Sequence, residues 1–116
     1  MNLNRRPVAS LWIGESLHYV NQLCLKSHLL HGHPVTLYTT DTVRNVPQGV
    51  EVRPASEIMQ IDRAIVEETS ASFLSNVFRY KMIAATGAIW IDTDAFCYRP
   101  FPEDMEHIYA GHGMRG

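Results

Sequence analysis

The sequence predicts an α/β fold, an open and mainly parallel sheet with flanking helices, and three observations carry that prediction. Short apolar, β-branched runs over residues 8–13, 34–39 and 88–91 have strand character. Between the first two lies a segment with three- and four-residue apolar spacing, so that strand, helix and strand follow within about thirty residues as a βαβ unit, whose strands run parallel through a right-handed crossover. The last run ends abruptly in Asp92 and Asp94, and the ends of strands in an open α/β sheet are where ligands bind.

Taken in order, Val8-Ala9-Ser10-Leu11-Trp12-Ile13 reads as the first strand, closed by Gly14. Leu17, Val20, Leu23, Cys24, Ser27 and Leu30 then recur at helical spacing, while Glu15, His18, Asn21, Gln22 and Lys26 fall mostly elsewhere, and Gly32 stops the helix. Pro34 to Thr39 forms the second strand. The turn-rich Asn45-Val46-Pro47-Gln48-Gly49 leads to a short third strand over residues 50–53, halted by Pro54. Residues 57–68 carry a helical turn or two, and Thr69-Ser70-Ala71-Ser72 breaks the pattern, which leaves room for a flap. A clearer helix runs from Ser72 or Ser75 as N-cap to Thr86, with Phe73, Val77, Tyr80 and Ala84 along one face and Gly87 as its stop. It feeds directly into the strand that carries the acids. Ile108-Tyr109-Ala110 has the composition to begin another strand.

Composition narrows the function. At 116 residues, 46% hydrophobic and 19% charged, the chain has the makeup of one globular domain. A net charge of −2 argues against nucleic acid as partner, since such proteins carry basic clusters and only Arg5-Arg6 are adjacent here. No stretch approaches the ~20 apolar residues of a transmembrane helix, and no signal-peptide core precedes Pro7, so a cytoplasmic location is the expectation. Cys24 and Cys97 are too few for a disulfide framework; Cys24 falls on the helix face expected to pack.

Two carboxylates one residue apart at a strand end repel each other unless a cation neutralises them or they form an acid/base pair. A hard cation such as Mg2+ or Mn2+ takes oxygen ligands and keeps waters or phosphates in its other positions, so two carboxylates suffice for a metal-diphosphate site. The plain alternative is an acidic turn, for Asp and Thr are ordinary turn residues. A phosphatase of the haloacid-dehalogenase kind, with the first Asp as nucleophile, would want Thr or Val where Phe96 stands; a calcium loop would want a glycine and more oxygen ligands after Asp94. His28, His31 and His33 invite a zinc reading, but only the first two share a helix face, and a helix C-terminus favours histidine through its dipole. His107 and His112 follow the acids with nothing to fix their placement.

Three stretches together resemble the glycosyltransferases with an Asp-x-Asp sugar-binding region, a group that includes the catalytic domains of large clostridial toxins and many bacterial polysaccharide-synthesis enzymes. They are Leu11-Trp12-Ile13-Gly14, Ser75-Asn76-Val77-Phe78-Arg79-Tyr80, and Gly87-Ala88-Ile89-Trp90-Ile91-Asp92-Thr93-Asp94. Order and spacing agree with the family's strand one, Ser-Asp-x-x-Arg helix and Gly-Gly-x-Tyr-x-Asp-x-Asp strand. The resemblance implies a GT-A-like fold for residues 1–116, of which the chain supplies the N-terminal, nucleotide-sugar half, truncated at its C-terminus. It implies transfer of a sugar, with retained anomeric configuration, from a nucleotide-sugar donor, expected to be UDP-linked, to a glycan or other acceptor. By that resemblance Asp92 and Asp94 hold a divalent cation, Mn2+ or Mg2+, against the diphosphate. Arg79 contacts phosphate or sugar oxygens and counts with the two acids as catalytic, Asn76 lies at the diphosphate-sugar, and Trp12, with Ile13 and Gly14, receives the base.

The sequence departs from the family at two places. Asn76 stands where an aspartate is usual, which removes a charge and adds a donor, and Ala88 replaces the second glycine. A second reading therefore stays open: a transferase half that binds or docks without catalysis, with Phe96, Tyr98 and Phe101 as an apolar patch for a partner.

Overall fold

The computed structural model describes residues 5–94. The expectations placed on Phe96, Cys97, Tyr98, Phe101, His107, Ile108–Ala110 and His112 lie outside the described residues. Within them the chain forms β1 (Val8–Trp12), α1 (Tyr19–Leu30), β2 (Val35–Thr39), β3 (Glu51–Pro54), a 3-10 turn at Ala55–Glu57, α2 (Arg63–Glu68), α3 (Ala71–Thr86) and β4 (Ile89–Trp90). Among the described residues no helix is long and apolar enough to cross a membrane.

The four strands make one sheet in the order β3-β2-β1-β4, with every pair parallel. Val8 to Trp12 pairs residue by residue with Val35 to Thr39, and Val8 and Ala9 pair with Ile89 and Trp90 on the other side. The predicted α/β class and parallel βαβ unit are therefore present. Parallel strands covered on both faces read as continuous apolar runs, and β1 does: Val8, Ala9 and Leu11 are all nearly inaccessible.

Alternation along the strands sorts the core into two layers. Val8, Val35, Leu37, Ile89 and Ile91 join Leu17 and Leu25 under α1. Ala9, Leu11, Tyr38, Ala88 and Trp90 join Phe78 and Met82 of α3 on the opposite face. Phe78 is the hub of the second layer, with ring centroids 5.3 Å from Tyr38 and 6.3 Å from Trp90. Burying one such aromatic contributes roughly 1.5 to 3 kcal/mol by area.

Both long helices pack with faces one residue away from those the spacing predicts. In α1 the inward residues are Asn21, Cys24, Leu25, Ser27 and His28, while Val20, Leu23 and Leu30 are exposed. In α3 they are Leu74, Phe78, Arg79 and Met82, while Phe73 and Tyr80 are exposed. The cause is polar: an inward polar group that finds a hydrogen bond packs as well as an apolar one, and a count of apolar spacing discards it. His28 Nδ1 lies 2.9 Å from the Cys24 carbonyl and Ser27 Oγ donates to the same carbonyl at 2.6 Å.

The N-cap of α3 is Ser70, earlier than predicted, its Oγ accepting from Phe73 N–H at 3.0 Å. Gly87 ends the helix at φ +75° with its N–H on the Ile83 carbonyl, a left-handed stop that glycine adopts without strain. Residues 57–68 begin at the last residue of the 3-10 turn and contain α2, capped by Asp62 on Ile65 N–H at 3.0 Å. The loop from β2 to β3 holds no helix. Asn45 fastens it by accepting from Leu17 N–H at 2.7 Å and donating to Leu17 C=O at 2.6 Å.

Candidate functional site

The strand order fixes where a site can form. From β1 the chain winds outward to β2 and β3, then crosses back so that β4 lies on the other side of β1. Connections leave β1 and enter β4 on opposite faces of the sheet, with α1 on one and α3 on the other, so their strand ends are left uncovered as a crevice. A cleft of about 370 Å3 occupies that place, lined by Ser10, Leu11, Asn21, Ala71, Ser72, Ser75, Asn76, Arg79, Trp90 and Asp92-Thr93-Asp94.

The acids arrive there because β4 pairs with β1 for only two residues before its chain turns away. A last backbone bond, from Ile91 N–H to the Ala9 carbonyl at 3.0 Å, seats the root of the turn. Alternation puts Asp92 on the α3 side with Trp90, and Trp90 Nε1 donates to Asp92 Oδ1 at 3.1 Å. That bond orients a half-buried carboxylate, while Asp94 is exposed at the mouth.

Across from them, α3 presents Ala71, Ser72, Ser75, Asn76 and Arg79, which share one face at three- and four-residue spacing. Asn76 is exposed on this wall, and Arg79 is 9% exposed, with its guanidinium carbon 5.0 Å from the Tyr80 ring centroid. A fixed positive charge so deeply placed requires negative charge or oxygen ligands nearby, because an uncompensated buried charge is costly. The first turn of this sixteen-residue helix also lines the cleft, adding the positive end of its dipole.

The third wall is α1. Asn21 Nδ2 donates to the Thr93 carbonyl at 3.1 Å, and its Oδ1 accepts from His18 N–H at 3.2 Å. One turn on, the Cys24 thiol is pushed up, first by burial and then by the Asp94 carboxylate. Ser10 Oγ, 1% exposed, meets no hydrogen-bond partner among the described residues. Asn21 and Ser10 are absent from the sequence-based site. The position of Asn21 three and four residues before Cys24 and Leu25 was the one available signal.

The structure thus brings Asn76, Arg79, Asp92 and Asp94 to one cleft. Ile13 and Gly14 line a second cleft of about 420 Å3, further along the same sheet edge, with Thr40, Asp41, Ile61 and Asp62. Trp12 lines neither: it packs with the α1 layer, its Nε1 donates to the Ser16 carbonyl at 3.1 Å, and its ring meets His18 edge-on at 6.0 Å.

For a cation, the donor set is two hard carboxylates, and among the described residues no group of three or more His, Cys, Asp or Glu converges. That set does not make a closed zinc cage. It fits Mg2+ or Mn2+, which take one or two carboxylates and fill the rest of their shell with phosphate and water. His28 and His33, 6.4 Å apart between ring centroids, are buried with Nδ1 of each on a backbone carbonyl, of Cys24 and Arg6 respectively.

A scan against protein-family models and searches of curated proteins and of solved structures return no match for this chain.

Proposed function

We propose that this chain carries the donor site of a metal-dependent, retaining glycosyltransferase that moves a sugar from a UDP-linked donor to a glycan or other acceptor. One observation carries the reading: two carboxylates on one wall of a switch-point cleft face a buried arginine, an asparagine and a helix N-terminus on the other. Acids and a fixed cation in one cleft suit a ligand that is anionic at one end and metal-bridged, as a nucleoside diphosphate is.

In that reading Asp92 and Asp94 hold the cation, with Asp92 kept in orientation by Trp90 Nε1. A bound divalent cation supplies neutralisation of the charge that gathers on the diphosphate as the sugar C1–O bond breaks. Arg79 and the first turn of α3 hold phosphate or sugar oxygens and oppose the same charge. Asn76 offers both a donor and an acceptor to sugar hydroxyls, where an aspartate would only accept. The acceptor oxygen forms the new bond to C1 on the face from which the nucleoside diphosphate departs, as retention requires, while the diphosphate leaves with the C1–O electron pair and its oxygen takes the acceptor's proton.

Calorimetric titration with UDP, UDP-glucose and UDP-galactose, with and without Mn2+, tests the reading. Binding is expected to require the cation. Asp94→Asn is expected to abolish the cation-dependent component while leaving the circular dichroism spectrum and melting temperature unchanged, because Asp94 is exposed. Cation-dependent binding of normal strength in Asp94→Asn refutes the assignment. A folded wild-type chain that binds none of the three ligands favours the non-catalytic module instead.

A further inference from the structure

The two ends of the Asn21 amide are spent on two different tasks. Its Oδ1 accepts from His18 N–H at 3.2 Å and so closes the first turn of α1, where a backbone donor would otherwise lack an intrahelical partner. Its Nδ2 donates at 3.1 Å to the carbonyl of Thr93, the residue between the two acids, 72 positions later in sequence. Asn21 is only 8% exposed, so neither bond competes freely with water. A peptide carbonyl held from one side fixes the plane of the unit joining Thr93 to Asp94. The direction in which the Asp94 side chain leaves the backbone is thereby restricted.

The opposite anchor of the same turn is the Trp90 Nε1 bond to Asp92 at 3.1 Å. β4 is only Ile89–Trp90 and its last backbone bond to β1 is that of Ile91 N–H, so beyond the sheet these two side-chain bonds help to register the acidic turn. We infer that Asn21 is a positioning residue for the Asp92–Asp94 pair, setting the spacing of the two carboxylates by holding the Thr93 carbonyl from α1. This inference rests on the donor-site reading for its effect on ligand, but not for its effect on the turn.

Two substitutions separate positioning from capping. Asn21→Asp keeps an acceptor for His18 N–H and adds negative charge near the N-terminus of α1, where the dipole favours it, but it cannot donate to Thr93. Asn21→Ala loses both bonds. The melting temperature is therefore expected to fall further in Asn21→Ala than in Asn21→Asp, whose carboxylate gains from the helix dipole but lies close to Asp92 and Asp94.

The first readout needs no ligand: the 15N-indole resonance of Trp90, assigned against Trp12→Phe, reports the bond to Asp92. Positioning predicts that this resonance shifts and its proton exchanges faster in both variants. A wild-type resonance in Asn21→Asp overturns the inference. The second readout is UDP affinity in Mn2+, expected to fall about 10- to 100-fold in both variants, the range typical of losing an outer-shell support of a metal site. Affinity that follows the melting temperature, normal in Asn21→Asp and weakened in Asn21→Ala, also overturns it. If wild type itself binds no UDP, the donor-site reading fails and the indole resonance alone decides the role of Asn21.

Discussion

α1 and α3 flank the same sheet, and both turn polar side chains inward, yet those groups meet different surroundings. On α1, Ser27 and His28 are closed off against the helix's own carbonyls, and His33 just beyond it caps the Arg6 carbonyl. On α3, Ser75, Asn76 and Arg79 face a cleft. A buried polar group satisfied by backbone serves the architecture; one that lines open volume beside opposite charge lies where a ligand would meet it. Asn21 belongs to both classes, since it caps its own helix and reaches the acidic turn.

The largest effect that should separate the two helices is acid destabilisation through α1. Burial, with His33 and His31 adding to it against the Cys24 carbonyl, lowers the His28 pKa from 6.5 to about 4. His33 is lowered in the same sense, by burial first and then by Arg5 and His31, against the Arg6 carbonyl. The native state keeps these rings neutral while the unfolded chain binds protons, so their contribution is complete above pH 6.5. It is lost as the pH falls from 6.5 toward 4, where native His28 titrates as well. For His28 that loss is about 3 kcal/mol. Urea unfolding at pH 7 and at pH 4.5 measures it, and His28→Gln should flatten the dependence. A pH profile equally steep in His28→Gln would show that the α1 polar set is not the source.

Next in size is Arg79→Lys, which keeps the charge of α3 but replaces the planar fork with a point charge. It should weaken Mn2+-dependent UDP binding about tenfold, roughly 1.4 kcal/mol, with urea stability little changed. A fall in stability without a fall in affinity would place Arg79 with the architectural groups of α1 and erase the contrast. The smallest effect is Gly87→Ala. An added Cβ meets nothing within 4 Å, so the cost is only that of a left-handed residue at φ +75°, about 1 kcal/mol. That cost should appear in the melting temperature. An unchanged affinity would show that the stop of α3 sets the helix length without steering Arg79.

The sequence read alone determined the strands, the parallel βαβ unit, Gly87 as a helix stop and the delivery of Asp92 and Asp94 to a strand end, because each is written locally. Alternation, helical spacing and a glycine that tolerates positive φ act over a few residues, and β1, α1, β2 and β4 lie within a residue or two of where those signals put them. The short stretch to Ser70 as the true N-cap was harder, since three serines offered the same chemistry.

What the tertiary structure decided was which face each helix buries and which residues share the cleft. Leu30 and Val20 look like core and are exposed; His28 and Arg79 look like surface and are buried. Trp12 stands in the motif but packs toward α1, its indole turned to the Ser16 carbonyl. Asn21 reaches the acidic turn across 72 positions. The physical reasons differ. Asn21 is held by a partner distant in sequence, which exists only once the sheet has placed β4 beside β1, whereas His28 and Trp12 meet carbonyls four residues away and owe their burial to the sheet and helices packed over them.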